Sequence, residues 1–311
     1  MNDGVGRFVS GRSRGQEGMV LLVTLAAMAF LVPLVYAGVE SQRFHLRQVQ
    51  QELNLELARR NAESLLGLVV QVLVLDGLQN SATDHLNEMW AMPISLPDNE
   101  DGTAEAVVID TTRYWNMSGL KKQDGQINTD LRMVLTHLLE REEIPNRLLE
   151  NLIEWLKPVD GAVGQNTQAS AVLVAQQAVE PIQAVEQLVQ VQGWDKKSVQ
   201  KIKPFFTVDE ECKTGRLNVN TADIKTLELL TPDLNWQPVV ERRQKVPFTQ
   251  VAELATVGVT VTPAMANLLG VNSGCFMVRI RSQVNTVAGT LNVWMLRNGK
   301  QVTITKMRWN G

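Results

Sequence analysis

The sequence has few of the residues from which catalytic and metal sites are usually built. It contains three histidines and two cysteines in 311 residues. The histidines are scattered and the cysteines have no metal-ligand spacing, so a zinc site or a histidine-based catalytic site has little material. The nucleophile-elbow, zinc-protease, P-loop and dinucleotide-binding patterns are missing as well. These absences predict that the protein is not an enzyme, with an unrecognised hydrolase as the enzymatic alternative.

An excess of positive charge is also missing. The chain has 30 Lys and Arg against 33 Asp and Glu, which gives a net charge of −3 and a pI of about 5.8. A mildly acidic chain has no overall field that would attract nucleic acid. Apolar residues make up 44% of the sequence. This composition and length allow about two domains with a sizeable core.

One long apolar run lies near the N-terminus. Residues 1–18 are polar and include three arginines, and residues 19–39 follow without a charge. As an α-helix the run would span roughly 31 Å, about the thickness of the hydrocarbon core of a bilayer. The preceding arginines favour a cytoplasmic leader, with the bulk of the chain on the other side of the membrane.

Three interpretations of this run are open. The first is an uncleaved signal-anchor helix. The second is a secretory signal that is cut before Gly38. The third is a type IV prepilin signal, in which a basic leader ends in glycine and an apolar helix starts at once, as at Gly18-Met19. Cleavage after Gly18 on the cytoplasmic side would leave this helix as the mature N-terminus.

The helical pattern continues beyond the apolar run. Residues 40–75 lack proline and predict an amphipathic helix. Its apolar stripe consists of Phe44, Val49, Leu53, Leu57, Leu65, Val69 and Val72. Together, residues 19–75 would form one helix of roughly 85 Å, with a kink at Pro33 because proline removes a backbone donor. A helix that lies half in a membrane and half on a globular domain is the shape of a pilin.

The rest of the sequence predicts an α+β fold. Strand patterns occur at residues 105–110, 276–284, 290–296 and 302–308. Asn298-Gly299 between the last two patterns predicts a tight hairpin. Residues 130–271 are helical in pattern and broken by prolines. We therefore predict a small antiparallel, pilin-like sheet under the N-terminal helix, built from residues 76–129 and 272–311, with a large all-α domain inserted at 130–271.

Several stretches point to one family. They are the Gly18/Met19 junction, Ile153–Leu156, Val189–Trp194 and, most specifically, Leu217–Ala222. With them, the chain resembles the K-type minor pseudopilin of the type II secretion system (general secretion pathway protein K) over nearly its whole length. By this resemblance the inserted domain consists of helical hairpins of the SAM-like type.

The resemblance implies a subunit at the tip of a short periplasmic pseudopilus, which initiates or caps the fibre and supports export of folded proteins across the outer membrane. It implies cleavage after Gly18, N-methylation at Met19, and a single-pass location in the bacterial inner membrane with the bulk of the chain in the periplasm. The implied partners are the I-type and J-type minor pseudopilins, the major pseudopilin, prepilin peptidase and the inner-membrane secretion platform. Nucleic acid is not among them.

The fifth residue of the mature chain would be Val23. In most pilins this residue is a glutamate, which can pair with the terminal amine of a neighbouring subunit during assembly. An unpaired carboxylate in lipid is costly, so Val23 is compatible with a subunit that has no neighbour further toward the tip. The K-type family is similar in lacking this glutamate. The alternative is that Val23 is simply a lipid-facing residue of an ordinary anchor.

Cofactors are not expected. The resemblance to the K-type family implies an oxygen-rich calcium site just after the Glu154-Trp155 stretch. Calcium prefers six to eight oxygen ligands, including carboxylates. In this sequence Lys157 and Val159 stand where carboxylates are expected, and Asp160 alone is a poor site. We predict that the site is lost or binds calcium only weakly.

Leu217–Ala222, with residues 248–254, also resembles helix-hairpin-helix modules that bind DNA. Those modules offer backbone N–H groups of a Gly-x-Gly hairpin to phosphate. The corresponding stretch, Leu230–Trp236, has no glycine, and Asp233 would repel phosphate. We therefore predict a packing unit, with a membrane-anchored module that binds nucleic acid, as in DNA uptake, as the alternative function.

Asn218 and Asn220 are expected to brace the local backbone, and Asn220 or Thr221 to cap the following helix. Cys212 and Cys275 can oxidise if the bulk of the chain is periplasmic. A disulfide between them would join the end of the inserted domain to the first returning strand. The alternative is two independent buried thiols.

Overall fold

A computed structural model describes residues 14–79, 82–97, 102–122, 124–156, 182–212 and 215–311. The chain divides into two compact units, Met1–Glu56 and Leu57–Gly311. Helix α1 (Arg14–Gln79) begins in the first unit and ends in the second, which contains all the other described elements.

In the first unit, α1 carries the apolar run and is largely exposed. Every residue from 18 to 53 is exposed. This part of the helix is long and apolar enough to cross a membrane. Pro33 lies within α1, and the kink expected there stays a prediction. Because a continuous apolar surface of this size is unfavourable in water, it requires lipid or a partner to cover it.

The strands of the second unit are β1 (Ile94–Ser95), β2 (Thr103–Asp110), β3 (Trp115–Asn116), β4 (Phe206–Thr207), β5 (Leu217–Asn218), β6 (Leu269–Gly270), β7 (Cys275–Val284), β8 (Val287–Asn298) and β9 (Gln301–Asn310). Five of them form an antiparallel sheet in the order β1-β2-β7-β8-β9. The three predicted C-terminal strands therefore form the predicted meander, and the strand predicted at 105–110 joins it through β7.

Helix α1 packs on one face of this sheet. Alternate residues of β2, β7 and β8 point toward it and form a core with the helix. The helix contributes Ala62, Leu65, Leu66, Val69 and Leu73 to this core. Their three- and four-residue spacing is that of one helical face.

The predicted stripe on α1 matches this core only in part. Leu65 and Val69 are fully buried, whereas Phe44, Val49 and Leu53 are exposed. The difference arises because periodicity shows which residues share a face but not how far along the helix a packing surface extends.

The end of α1 meets the hairpin between β8 and β9. Gly299 has a positive φ of 55°, which glycine adopts without steric cost, in agreement with the predicted Asn-Gly turn. A Cβ atom on Gly77 would lie 2.1 Å from the backbone oxygen of Gly299. Gly77 therefore permits the close approach of helix and hairpin.

The helical region contains α2 (Thr129–Arg141), α3 (Arg147–Leu156), α4 (Lys196–Ile202), α5 (Ile224–Leu227), α6 (Gln237–Lys245) and α7 (Pro263–Leu268). It is not strictly all-α, since β3 pairs with β4 and β5 pairs with β6, both in parallel. Each ladder has two residues per strand, too short for an alternating pattern to reveal it in the sequence.

The helical region has its own hydrophobic core. Its largest fully buried side chains include Trp115, Leu120, Leu135, Trp236 and Phe248. Trp115 and Leu120 precede residue 130, so this core recruits residues from before the predicted insertion point. The boundaries at 130 and 271 stay predictions.

The two regions are connected through neighbouring strands. β2 ends at Asp110 and β7 begins at Cys275, yet the two strands pair over eight residues. The whole helical region therefore lies between two adjacent strands of one sheet. This arrangement agrees with the predicted α+β class, in which helical sequence separates strands of the same sheet.

Candidate functional site

The residues predicted for processing and assembly lie in the first unit. Gly18 and Met19 are both within α1, whose described start at Arg14 precedes the predicted start at Met19. Met19 is 72% exposed and Val23 is 58% exposed, so no described side chain covers either residue. Leader residues 1–13 lie outside the described residues. Cleavage, methylation and the role of Val23 stay predictions.

A buried polar cluster lies where α1, the sheet and the helical region meet, and the sequence patterns did not single it out. We call it the polar junction. Its members are Asp76, Asp84, Asp110, Asn218, Thr221, Ser273 and Arg297. These residues come from the end of α1, the loop after it, the end of β2, β5 and the turn that follows it, the segment before β7, and the end of β8.

Arg297 is the cation of the polar junction. Its side chain is 3% exposed and forms ion pairs with Asp76, at the end of α1, and with Asp84. The guanidinium also donates to the backbone oxygen of Ser273 at 3.1 Å and lies 4.9 Å from the ring centroid of Phe276. Arg297 therefore joins α1 to β8 and to the segment that leads into β7.

Asp110 is the acceptor at the centre of the polar junction. Oδ1 accepts from the Thr112 backbone N–H at 2.8 Å and from the Ser273 hydroxyl at 2.5 Å. Oδ2 accepts from the Asn218 amide at 3.1 Å and from the Thr221 hydroxyl at 2.6 Å. One carboxylate thus ties the end of β2 to the helical region and to the entry of β7.

The stretch Leu217–Ala222 has a clear role in this geometry. Asn218 donates to Asp110 and to the backbone oxygen of Asp84, at 3.0 Å. Asn220 accepts from the Phe248 backbone N–H and donates to its oxygen, both at 2.9 Å. The Asn218 side-chain oxygen also accepts from the Asn220 backbone N–H at 2.9 Å, which is the local bracing expected from the sequence. The other backbone contacts of both asparagines are to distant segments.

The predicted helix cap was wrong. Helix α5 is capped by Asp223, which accepts from the Lys225 backbone N–H at 3.0 Å. Neither Asn220 nor Thr221 caps it, because both side chains are engaged in tertiary contacts within the protein.

The polar junction contains more acids than cations. Burial raises the pKa of Asp84 from its ordinary value to about 7, although Arg297 opposes the shift. Burial also raises the pKa of Asp76, with a further contribution from the charge of Glu88. One guanidinium cannot neutralise every nearby carboxylate in a region from which water is excluded. Asp76 and Asp84 therefore hold protons more tightly here than in water.

Three of these acids lie close enough together to suggest a cation site. Asp76, Asp84 and Glu88 each have a carboxylate oxygen within 4.8 Å of the others. Arg297, however, pairs with both aspartates, and the Trp90 indole donates to Glu88 at 2.6 Å. The charge and donors already present satisfy these oxygens, so the cluster is better suited to holding the fold together than to binding a metal.

The two cysteines meet beside the polar junction. Cys212 and Cys275 form a disulfide with a Cα separation of 5.8 Å. The Asn116 amide donates to the backbone oxygens of Asp209, at 2.7 Å, and of Cys212, at 2.9 Å. The bond connects the helical region to the first residue of β7. Whether it forms in the cell stays a prediction.

The hairpin-like stretch Leu230–Trp236 is a packing element. Leu230 and Trp236 are 3% and 1% exposed, and the Trp236 indole donates to the backbone oxygen of Thr231 at 3.3 Å. Its apolar residues therefore face the protein core. The predicted remnant of a calcium site, at Asp160, lies outside the described residues.

The alternating pattern of β8 could have identified Arg297. Leu291, Val293 and Met295 point into the core, and Arg297 continues the same row. A charged residue on the buried side of a strand requires a partner. The sequence does not show which acids provide it, because Asp76 and Asp84 lie more than 200 positions away.

Comparison with known proteins identifies the fold. No family model matches the chain, and no curated protein sequence matches it. Among solved structures, the chain is similar to one from the GspK-GspI-GspJ complex of the enterotoxigenic Escherichia coli type 2 secretion system. The TM-score is 0.63 at 20% sequence identity, and the match covers 86% of this chain and 99% of that chain.

The chain therefore has a pseudopilin-like fold. It combines a long N-terminal apolar helix with an antiparallel sheet and a large helical region, and the match extends over most of the chain. This fold and the single described apolar helix fit a single-pass membrane anchor.

Proposed function

We propose that this chain is a minor pseudopilin of a type II secretion system, of the K type. The observation that carries the proposal is the fold match, which covers nearly all of a chain taken from a complex of three pseudopilins. A match of this extent includes the helical region as well as the helix and sheet. The proposal thus rests on the whole architecture and not on the common N-terminal helix alone.

The N-terminal helix supports a role in fibre assembly. Residues 18–53 of α1 are exposed, and they include a surface long and apolar enough for a membrane before assembly. Packed against other helices, the same surface would build a fibre. Prepilin peptidase would cut after Gly18 and methylate Met19, with the bulk of the chain in the periplasm and α1 in the inner membrane.

Two features of the chain support a position at the tip. Val23 provides no carboxylate to pair with the terminal amine of a further subunit. The helical region, inserted between β2 and β7, adds bulk that would obstruct another subunit above it. In this position the protein would bind the I-type and J-type minor pseudopilins and start or cap the fibre, which supports export of folded proteins through the outer membrane.

The same proposal gives the protein no catalytic activity, no cofactor and no nucleic-acid partner. Its described polar cluster is buried and internally paired. The major pseudopilin and the inner-membrane platform would contact it during assembly.

Mass spectrometry of the mature N-terminus tests the class. The protein, expressed with its secretion system, is expected to begin at methylated Met19. A Gly18→Ala variant is expected to keep its leader, whereas a Gly38→Ala variant serves as the control and is expected to be processed normally. An intact Met1, or a start at Gly38, would contradict the proposal.

Labelling of assembled fibres tests the tip position. An epitope tag placed after Gly311 is expected to appear once per fibre, at one end only. Labels distributed along the fibre would show that the protein is a pseudopilin but not a tip subunit.

A further inference from the structure

The sheet has a second face, which α1 does not cover. We call it the outer face. Along β7 it carries Met277, Arg279 and Arg281, which alternate with the buried residues of that strand. On β8 the pairing register places Trp294 beside Met277 and Asn292 beside Arg279. All of these side chains are at least partly exposed.

The outer face continues onto the edge strand. Lys306 pairs in register with Trp294, and Arg308 pairs with Asn292. Arg279, Asn292 and Arg308 therefore form one row across three strands, and Met277, Trp294 and Lys306 form the next. The two rows place three cations around a half-buried aromatic and thioether centre.

The charge of this part of the chain differs from that of the whole. The protein has a net charge of −3, yet residues 254–311 contain six Lys and Arg and no Asp or Glu. Of these six cations, only Arg297 is buried. The imbalance is therefore displayed at the surface, and the outer face carries most of it.

Few of the described residues neutralise this charge. Arg279, Arg281 and Arg308 form no ion pair with any other described residue. The acids that lie nearby are Glu105, which is in register with Arg281, and Asp209, whose charge interacts with Lys306. No two of these cations are directly opposite each other, since Arg279 and Arg308 both face Asn292. The fold therefore tolerates the cluster, and its exposed positive charge is available to a partner with negative charge.

The centre of the outer face has the composition of an interface. Lys306 lies 5.4 Å from the ring centroid of Trp294, and Trp294 and Met277 are neighbours on adjacent strands. Tryptophan, methionine and arginine are enriched in protein–protein interfaces, and tryptophan and arginine dominate their binding energy. A phosphate-rich surface would pair with the cations but would leave the apolar centre between them unused.

We propose that the outer face binds a protein partner that presents carboxylates around an apolar side chain. The inference rests on the proposed function, because the partner would be the head of a neighbouring minor pseudopilin. Carboxylates on that head would pair with Arg279 and Arg308, and an apolar residue would pack on Trp294. Such complementarity controls which neighbour docks and in which register, and its strength decreases with added salt.

The test compares four forms of the full-length chain in detergent, each co-expressed with its I-type and J-type partners. The first is the unmodified chain. The second is Arg279→Glu/Arg308→Glu, which reverses the outer face. The third is Lys196→Glu/Lys197→Glu, which makes the same change in net charge at exposed positions at the start of α4. The fourth is Arg279→Lys/Arg308→Lys, which shows whether positive charge alone suffices for binding. Melting temperature is measured for each form.

The outer-face reversal is expected to weaken association with at least one partner by about 10-fold or more, whereas the control stays within about 2-fold. Raising the salt concentration should weaken the unmodified complex and not the reversed one. Equal binding by both double variants at unchanged melting temperature would overturn the inference while leaving the proposed function intact. If the reversed variant has a lower melting temperature, the lysine variant decides. The inference is overturned if Arg279→Lys/Arg308→Lys binds the partners no better than the reversed variant does. Failure of the unmodified chain to bind either partner would overturn both the inference and the proposed function. The outer face would be assigned to lipid instead if the full-length chain binds anionic vesicles, the reversal abolishes that binding, and pseudopilin binding is unchanged.

Discussion

Removing the cation of the polar junction is expected to destabilise the protein strongly. The change is Arg297→Met, which keeps an unbranched apolar side chain next to Phe276. It removes the cation that pairs with Asp76 and Asp84, and it leaves Asp84, whose side chain is fully buried, with the Ser273 backbone N–H as a donor. Removing one partner of a buried ion pair typically costs about 3–5 kcal/mol. At about 2–4 °C per kcal/mol for a domain of this size, the melting temperature should fall by roughly 6–20 °C.

The assay is thermal unfolding of the full-length chain in detergent, followed by tryptophan fluorescence at several pH values. Arg281→Met, at an exposed position on β7, is the matched control and should change stability by no more than about 0.5 kcal/mol. The loss in Arg297→Met should be smaller at pH 5 than at pH 8, since a protonated Asp84 no longer needs the cation. A loss under about 1 kcal/mol at pH 8 would refute the view that this ion pair joins the helix to the sheet.

Other perturbations test neighbouring parts of the structure. Burial raises the pKa of Asp84 from 3.8 to about 7, so between these pH values the folded state holds a proton that the unfolded state releases. Asp84 therefore lowers the stability of the fold as pH rises through this range. Asp84→Asn should flatten the measured curve of stability against pH, and an unchanged slope would contradict the argument. Cys212→Ser/Cys275→Ser opens a loop whose ends are 63 residues apart, which should lower the free energy of unfolding by about 4 kcal/mol in the chain-entropy model. Reduction of the unmodified chain should lower its melting temperature by the same amount as the double substitution does. Reduction should leave the melting temperature of the double variant unchanged. Sub-millimolar calcium should leave the melting temperature unchanged, because Lys157 and Val159 stand in the sequence where carboxylates are expected beside Asp160. A clear stabilisation would disprove the predicted loss of that site.

The secondary structure of the sheet region was predictable because its signals are local. Alternating apolar residues and the Asn298-Gly299 turn define β7, β8 and β9 within about 36 consecutive residues. The strand that contains Val107 was predictable in the same way. The place of this strand in the sheet was only partly predictable, because the strand it pairs with, β7, begins far along the chain at Cys275.

The polar junction could not be assembled from the sequence. Asn218 was expected to brace local backbone, and it also contacts Asp110, which is 108 positions away. No local pattern encodes such a pair, since many aspartates and asparagines satisfy the same chemistry. The fold selects among them by bringing the end of β2, the start of β5 and the segment before β7 to one place.

The sequence by itself determined the apolar helix with its Gly18-Met19 junction, the C-terminal meander and the helical character of the intervening region. Each depends on a repeat of two to four residues, or on a short motif, and such regularities are read without knowledge of distant contacts. Only the tertiary structure decided that Arg297 pairs with Asp76 and Asp84, that the buried part of α1 is its C-terminal end, and that α1 covers one face of the sheet and not the outer face. These features depend on which surfaces meet, and a surface is covered or exposed only when the rest of the chain has folded around it.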